Sequence, residues 1–87
     1  MPQVFIPSLM RTITNGVQEV NVEGRNVRQM IENLECQFPG IREQLCDENS
    51  MKSGLTVSVD GNVSSLGLFQ KVRADSEIHF LPAIGGG

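Results

Sequence analysis

Eighty-seven residues, 39% hydrophobic and 20% charged, make one small globular domain near the lower limit at which a core holds without staples. A net charge of −3, with seven Lys and Arg scattered along the chain, excludes the concentrated basic face of a nucleic-acid binder. Trp and Tyr are absent and Phe occurs four times, which argues against a cofactor sandwiched between aromatic rings.

The N-terminal Gln3 to Leu9 reads as a first strand, with Val4 and Ile6 on one face and Phe5 on the other. Pro7 has no backbone donor and predicts a bulge or an unpaired stretch there. Thr14-Asn15-Gly16 carries hairpin turn chemistry, since Asn and Gly tolerate positive φ. Gln18 to Val22 alternates as a short second strand, with Val20 and Val22 inward.

The clearest helix follows. Asn26 is a suitable N-cap with Gln29 three residues on, and Val27, Met30, Ile31, Leu34 and Phe38 repeat along one helical face. Pro39 stops it. Cys36 falls opposite Val27 on the wheel and is expected in water, with no neighbouring His or Lys to activate it as a nucleophile. Gly40 to Leu45 reads as a short extra helical turn, with Ile41 and Leu45 on the covered side.

Asp47 to Gly54 is predicted to be a polar loop. Leu55, Val57 and Val59 alternate with Thr56 and Ser58 as a half-buried strand that ends at Asp60-Gly61, the strongest hairpin signal in the chain. Val63 begins a brief return strand, and Leu66 to Val72 is irregular with room for a 3₁₀ turn. Asp75-Ser76 turns into a last strand, Glu77 to Leu81, with Ile78 and Phe80 inward and His79 and Leu81 outward. A long helix over one face of a small mixed sheet is an α+β design. Its most economical form is a β-grasp, the first and last strands parallel in the middle and the helix supplying the right-handed crossover. The expected division is a domain over 1–81 and a tail over 82–87.

The chain carries little catalytic equipment. It lacks a glycine-rich phosphate loop with a lysine, and its single histidine has no paired nucleophile. Two cysteines outside any C-x-x-C pair and one histidine do not make a zinc set, so no metal is expected. Glu32/Glu35 and Asp47/Glu48 read as solvated charges. The N-terminus lacks the pattern of a signal peptide and no apolar run approaches membrane length, so a cytoplasmic protein with reduced thiols and no membrane partner is expected.

The ending Gly85-Gly86-Gly87 is slim and conformationally free, suited to threading a carboxylate into another protein's active site. Ile6-Pro7-Ser8-Leu9-Met10-Arg11, the helix followed by Phe38-Pro39-Gly40-Ile41, and Leu81-Pro82-Ala83-Ile84-Gly85-Gly86-Gly87 together resemble the ubiquitin-like sulfur carrier proteins of the MoaD/ThiS type, most closely the CysO branch. Gly85 stands where that branch has alanine, and Gly86-Gly87 matches its terminal pair. Two departures are visible: Asp75, able to adopt a left-handed conformation, replaces the glycine usual before the last strand, and the loop Ser50 to Gly54 is shorter and lacks an aromatic residue.

The resemblance implies a carrier and not an enzyme, a monomer when free, with no bound cofactor. Gly87 is the expected covalent site. An E1-like partner would use ATP to adenylate its carboxylate, and sulfur would displace AMP to leave a thiocarboxylate. Ala83, Ile84, Gly85 and Gly86 would thread into the partner, six residues from Pro82 spanning about 20 Å at roughly 3.4 Å each. Leu81, with Pro7 and Val63, is the expected docking surface, an exposed apolar anchor beside the tail. The CysO branch implies sulfur for cysteine synthesis through a cysteine synthase-like acceptor; delivery to molybdopterin, thiamin or a secondary metabolite would use the same chemistry. Two other readings share the residues: a ubiquitin-like modifier joined through Gly87 to lysines, and a non-catalytic β-grasp interaction module.

Overall fold

Asn26 starts the main helix as its sequence position predicts. In the computed structural model, which describes residues 1–48 and 50–82, its side chain accepts the Gln29 N–H at 2.8 Å. The Gln29 side chain in turn accepts the Arg25 N–H at 3.0 Å, so two donors at the helix start are satisfied. Helix α1 spans Val27–Gln37 and buries Val27, Met30, Ile31 and Leu34, the periodic stripe. Phe38 caps it and is half-buried, and Cys36 is exposed as expected. Gly40, at φ 101°, turns the chain into α2, Ile41–Leu45.

These helices cover one face of a five-stranded sheet. Its strands are β1 (Gln3–Phe5), β2 (Glu19–Asn21), β5 (Leu55–Val59), β6 (Asn62–Val63) and β7 (Glu77–Pro82), in the spatial order β2-β1-β7-β5-β6. β1 and β7 run parallel with Val4 opposite Ile78, and the other pairs are antiparallel. Val4, Val57, Val59, Ile78 and Phe80 point at the helices and are buried with their apolar stripe. The parallel central pair, with α1 in the crossover, is the β-grasp arrangement expected from the order of elements.

Four local expectations are corrected. The first strand ends at Phe5, short of Leu9, because the chain beyond Pro7 winds into a 3₁₀ turn over Ser8–Met10 that buries Met10. The Asn15-Gly16 turn does form, at φ 56° and 86°, but it closes a long loop in which buried Thr14 donates its hydroxyl to the Val17 carbonyl at 2.9 Å. The stretch expected as polar loop holds a small ribbon, β3 (Cys46–Asp47) against β4 (Ser50–Met51), with Met51 packed on the core. Asp75 does not adopt the left-handed conformation; among the described non-glycine residues only Asn15 and Asp60 do.

The carboxylate of Asp60 explains why Asp75 need not. It accepts the Ser76 hydroxyl at 2.8 Å and the Glu77 N–H at 2.9 Å, while the Ser76 hydroxyl oxygen accepts the Arg73 N–H at 2.9 Å. The turn into β7 is thus pinned from the neighbouring hairpin. Glu35 has a comparable task that its reading as a solvated charge missed: its carboxylate accepts the N–H groups of Gly40 at 2.9 Å and Arg42 at 2.8 Å and so anchors the start of α2. Both carboxyls are held below the usual carboxylate range. The Gly40 N–H is the main cause for Glu35, and the Glu77 N–H for Asp60, ahead of the Ser76 hydroxyl.

Candidate functional site

Side chains alternate across a strand, so every residue beside a core residue faces away from the helices. One row on this open face is fixed by register: Glu19 on β2, Phe5 on β1, His79 on β7, Ser58 on β5 and Val63 on β6. A second row places Leu81 opposite Thr56. Phe5 and His79 stack with ring centroids 4.2 Å apart and planes 5° from parallel. Glu77 reaches His79 at 3.9 Å between Oε1 and Nε2. Ser58, expected to face solvent, is buried on this row between β6 and β7, because central strands leave small side chains little open surface.

Two of the residues expected to form a docking surface lie on the open face and one lies beyond the end of β1. Leu81 is 39% exposed and Val63 59% exposed, on the same face and separated by β5. Pro7 is half-buried just beyond the end of β1, and its carbonyl accepts the Met10 N–H at 2.9 Å. The parallel register sends the chain after Phe5 out at the same end of the sheet as Leu81, and Leu9 there is 94% exposed. Phe5 and His79 share this face but were not among the residues expected to dock a partner. Their signal was present in the alternation, which put both on the outer face, but only register makes them neighbours.

The last described residue, Pro82, still pairs with Leu55, one residue beyond the expected domain limit of Leu81. Gly87, expected to be the covalent site, and the threading residues Ala83, Ile84, Gly85 and Gly86 lie outside the described residues. Among the described residues no group of three His, Cys, Asp or Glu side chains could hold a metal ion. No helix among them is long and apolar enough to cross a membrane.

A β-grasp sheet with its helices on one face and a mixed apolar and acidic surface on the other, its last strand leading to a glycine tail, defines a ubiquitin-like protein. The chain belongs to the ThiS family, whose profile matches residues 4–87. The sulfur carrier protein CysO of Mycobacterium tuberculosis strain H37Rv is 29% identical over 89 residues, covering 97% of this chain and 96% of that protein. A chain in the crystal structure of the Amycolatopsis orientalis BexX/CysO complex superposes with a TM-score of 0.89 at 30% identity, each chain covered over 100% of its length. The crystal structure of Mycobacterium tuberculosis CysO, described as an antigen, gives a TM-score of 0.88 at 27% identity, with 97% of this chain and 100% of that one covered.

Proposed function

We propose that this chain is a sulfur carrier of the ThiS type that works through the carboxylate of Gly87. The observation that carries the reading is the family match over residues 4–87, which takes in both the β-grasp domain and the glycine ending. A carboxylate is a poor electrophile because its leaving group would be oxide. An E1-like partner would supply ATP, join the carboxylate to AMP and release pyrophosphate. Hydrosulfide would then attack the acyl carbon, the bond to AMP would break, and a thiocarboxylate would remain on Gly87. That group is nucleophilic and reverts to the carboxylate on hydrolysis, so its delivery inside a partner's water-poor pocket preserves it.

In this scheme the domain is a handle and the tail provides reach. The open face around Leu81, Val63, Phe5 and His79 is the docking surface, and Ala83 to Gly86 thread the partner channel. The receiving enzyme makes a sulfur-containing metabolite. Similarity to proteins named CysO favours cysteine, through a cysteine synthase-like acceptor. A structural neighbour taken from a BexX/CysO complex supports a working state docked on a second protein.

The test is mass spectrometry of the protein after incubation with ATP, hydrosulfide and the adenylating enzyme of the same organism. One terminal oxygen should be replaced by sulfur, on Gly87 alone. Deleting Gly87, or appending one residue that is not trimmed, should abolish the change. Charging of the extended, untrimmed protein would place the site elsewhere.

A further inference from the structure

Beyond the open sheet face, a groove runs along the outer side of β5, between β4 and the 3₁₀ turn Gly67–Phe69. Met51, Leu55, Thr56, Leu66 and Phe69 line it together with serines, and none of the described lining residues is ionisable. That is unusual in a chain with seventeen Lys, Arg, Asp and Glu (7 + 10). Leu66 is 57% exposed and Phe69 59%, although Met51 and Leu55 beside them pack on the core. Exposed aromatic and aliphatic side chains gathered on an uncharged groove mark a surface that is covered in use.

Two register pairs tie this groove to the tail. Thr56, in its wall, is the cross-strand partner of Leu81, and Leu55 is the partner of Pro82. The groove therefore begins where the Leu81 surface ends, directly beside the root of the tail. Ala83 to Gly87 can span at most about 17 Å from Pro82. An enzyme that brings the Gly87 carboxylate into a buried active site must press the mouth of its channel against the surface around Pro82. We propose that the groove of Met51, Leu55, Leu66 and Phe69 is a second anchor point for the adenylating enzyme, filled by apolar side chains from the rim of its channel. The inference rests on the carrier reading above. It adds a lateral contact, off the open face, that fixes the direction in which the tail leaves the domain.

The experiment compares wild type with Phe69→Ser and Leu66→Ser in ATP-dependent thiocarboxylate formation by the adenylating enzyme, with folding checked by thermal unfolding. Each substitution should raise the KM for the carrier about tenfold, as loss of an interface anchor does, with kcat changed less than about twofold. Because both side chains are more than half exposed, the variants should remain folded; if one does not, the other carries the measurement. An unchanged KM in a folded variant, with wild type charged normally, overturns the groove and leaves the carrier reading standing. Concentration-dependent dimerisation of wild type that Phe69→Ser abolishes also overturns it, by assigning the groove to a second copy of the chain. A wild type that is never charged overturns the carrier reading and the groove with it.

Discussion

Phe5 and His79 meet face to face across the parallel central strands, 4.2 Å between ring centroids, on the side of the sheet that the helices leave open. Aromatic pairs of this geometry contribute about 0.5–1.5 kcal/mol beyond the area they bury. A double-mutant cycle with Phe5→Leu and His79→Leu should therefore return a coupling energy of about 0.5–1.5 kcal/mol in urea unfolding. Additive losses would mean that the rings are neighbours without energetic consequence.

Asp60 links the hairpin after β5 to the start of β7, and its acid response follows from that. The Glu77 N–H and then the Ser76 hydroxyl hold its carboxyl below the ordinary range. A folded pKa below the unfolded value of about 3.9 gives stability that is complete above that value and is lost as pH falls through the folded pKa. Asp60→Asn keeps a residue tolerant of φ 52° but removes the charge. It should lower Tm by about 4 °C near neutrality, corresponding to roughly 1 kcal/mol or less in a domain of this size. The gap from wild type should narrow below about pH 4. A constant gap down to acid pH would show that geometry, not charge, is what the substitution removes.

The β-grasp order was legible because each boundary carried its own chemistry: Asn26 with Gln29 at the helix start, Pro39 at its end, Asp60-Gly61 at the hairpin. The β3–β4 ribbon was not, because two-residue strands have no period to read and its two apolar residues, Cys46 and Met51, stand among polar neighbours. The end of β1 at Phe5 was signalled by Pro7, but the 3₁₀ turn that buries Met10 depends on tertiary packing. At the site, alternation put Leu81, Phe5 and His79 on the outer face one strand at a time, whereas Val63 was expected beside them from resemblance. Which of them adjoin depends on register between the first and last strands, a contact between chain ends that no local pattern encodes. The expectation for Gly87 came from the steric freedom of glycine and from resemblance, and Gly87 lies outside the described residues.

Gly24 tests the packing of the helix against the chain that leads into it. A Cβ added there would lie 2.7 Å from the Met30 backbone nitrogen and 2.9 Å from its Cα. Those atoms belong to the body of α1, so relief requires moving the helix or the loop, not a side-chain rotation. Gly24→Ala should cost about 2–3 kcal/mol, the range of overpacking without local relief, measured as a lower urea midpoint at unchanged slope. Gly16→Ala makes a useful contrast. A Cβ there meets nothing within 4 Å, so its cost at φ 86° is conformational and should stay near 1 kcal/mol. Equal costs at the two sites would refute the steric account of Gly24.

Leu81 separates docking from folding. It sits at the outward position of β7 next to the strand's end, opposite Thr56, and is 39% exposed beside the chain that leads to Gly87. A residue that served the core would be buried within it, as Phe80 is, and its replacement by a charge would unfold the domain. Leu81→Asp should instead leave stability within roughly 1 kcal/mol, since only part of its apolar surface is buried. Thiocarboxylate formation by the adenylating enzyme should fall by about an order of magnitude or more, as when a central apolar anchor is lost. Leu81→Met, which keeps apolar volume, should recover most of the rate. If Leu81→Asp folds and is charged at the wild-type rate, docking does not use this end of the open face. If Leu81→Met is as impaired as Leu81→Asp, shape and not apolarity governs the contact.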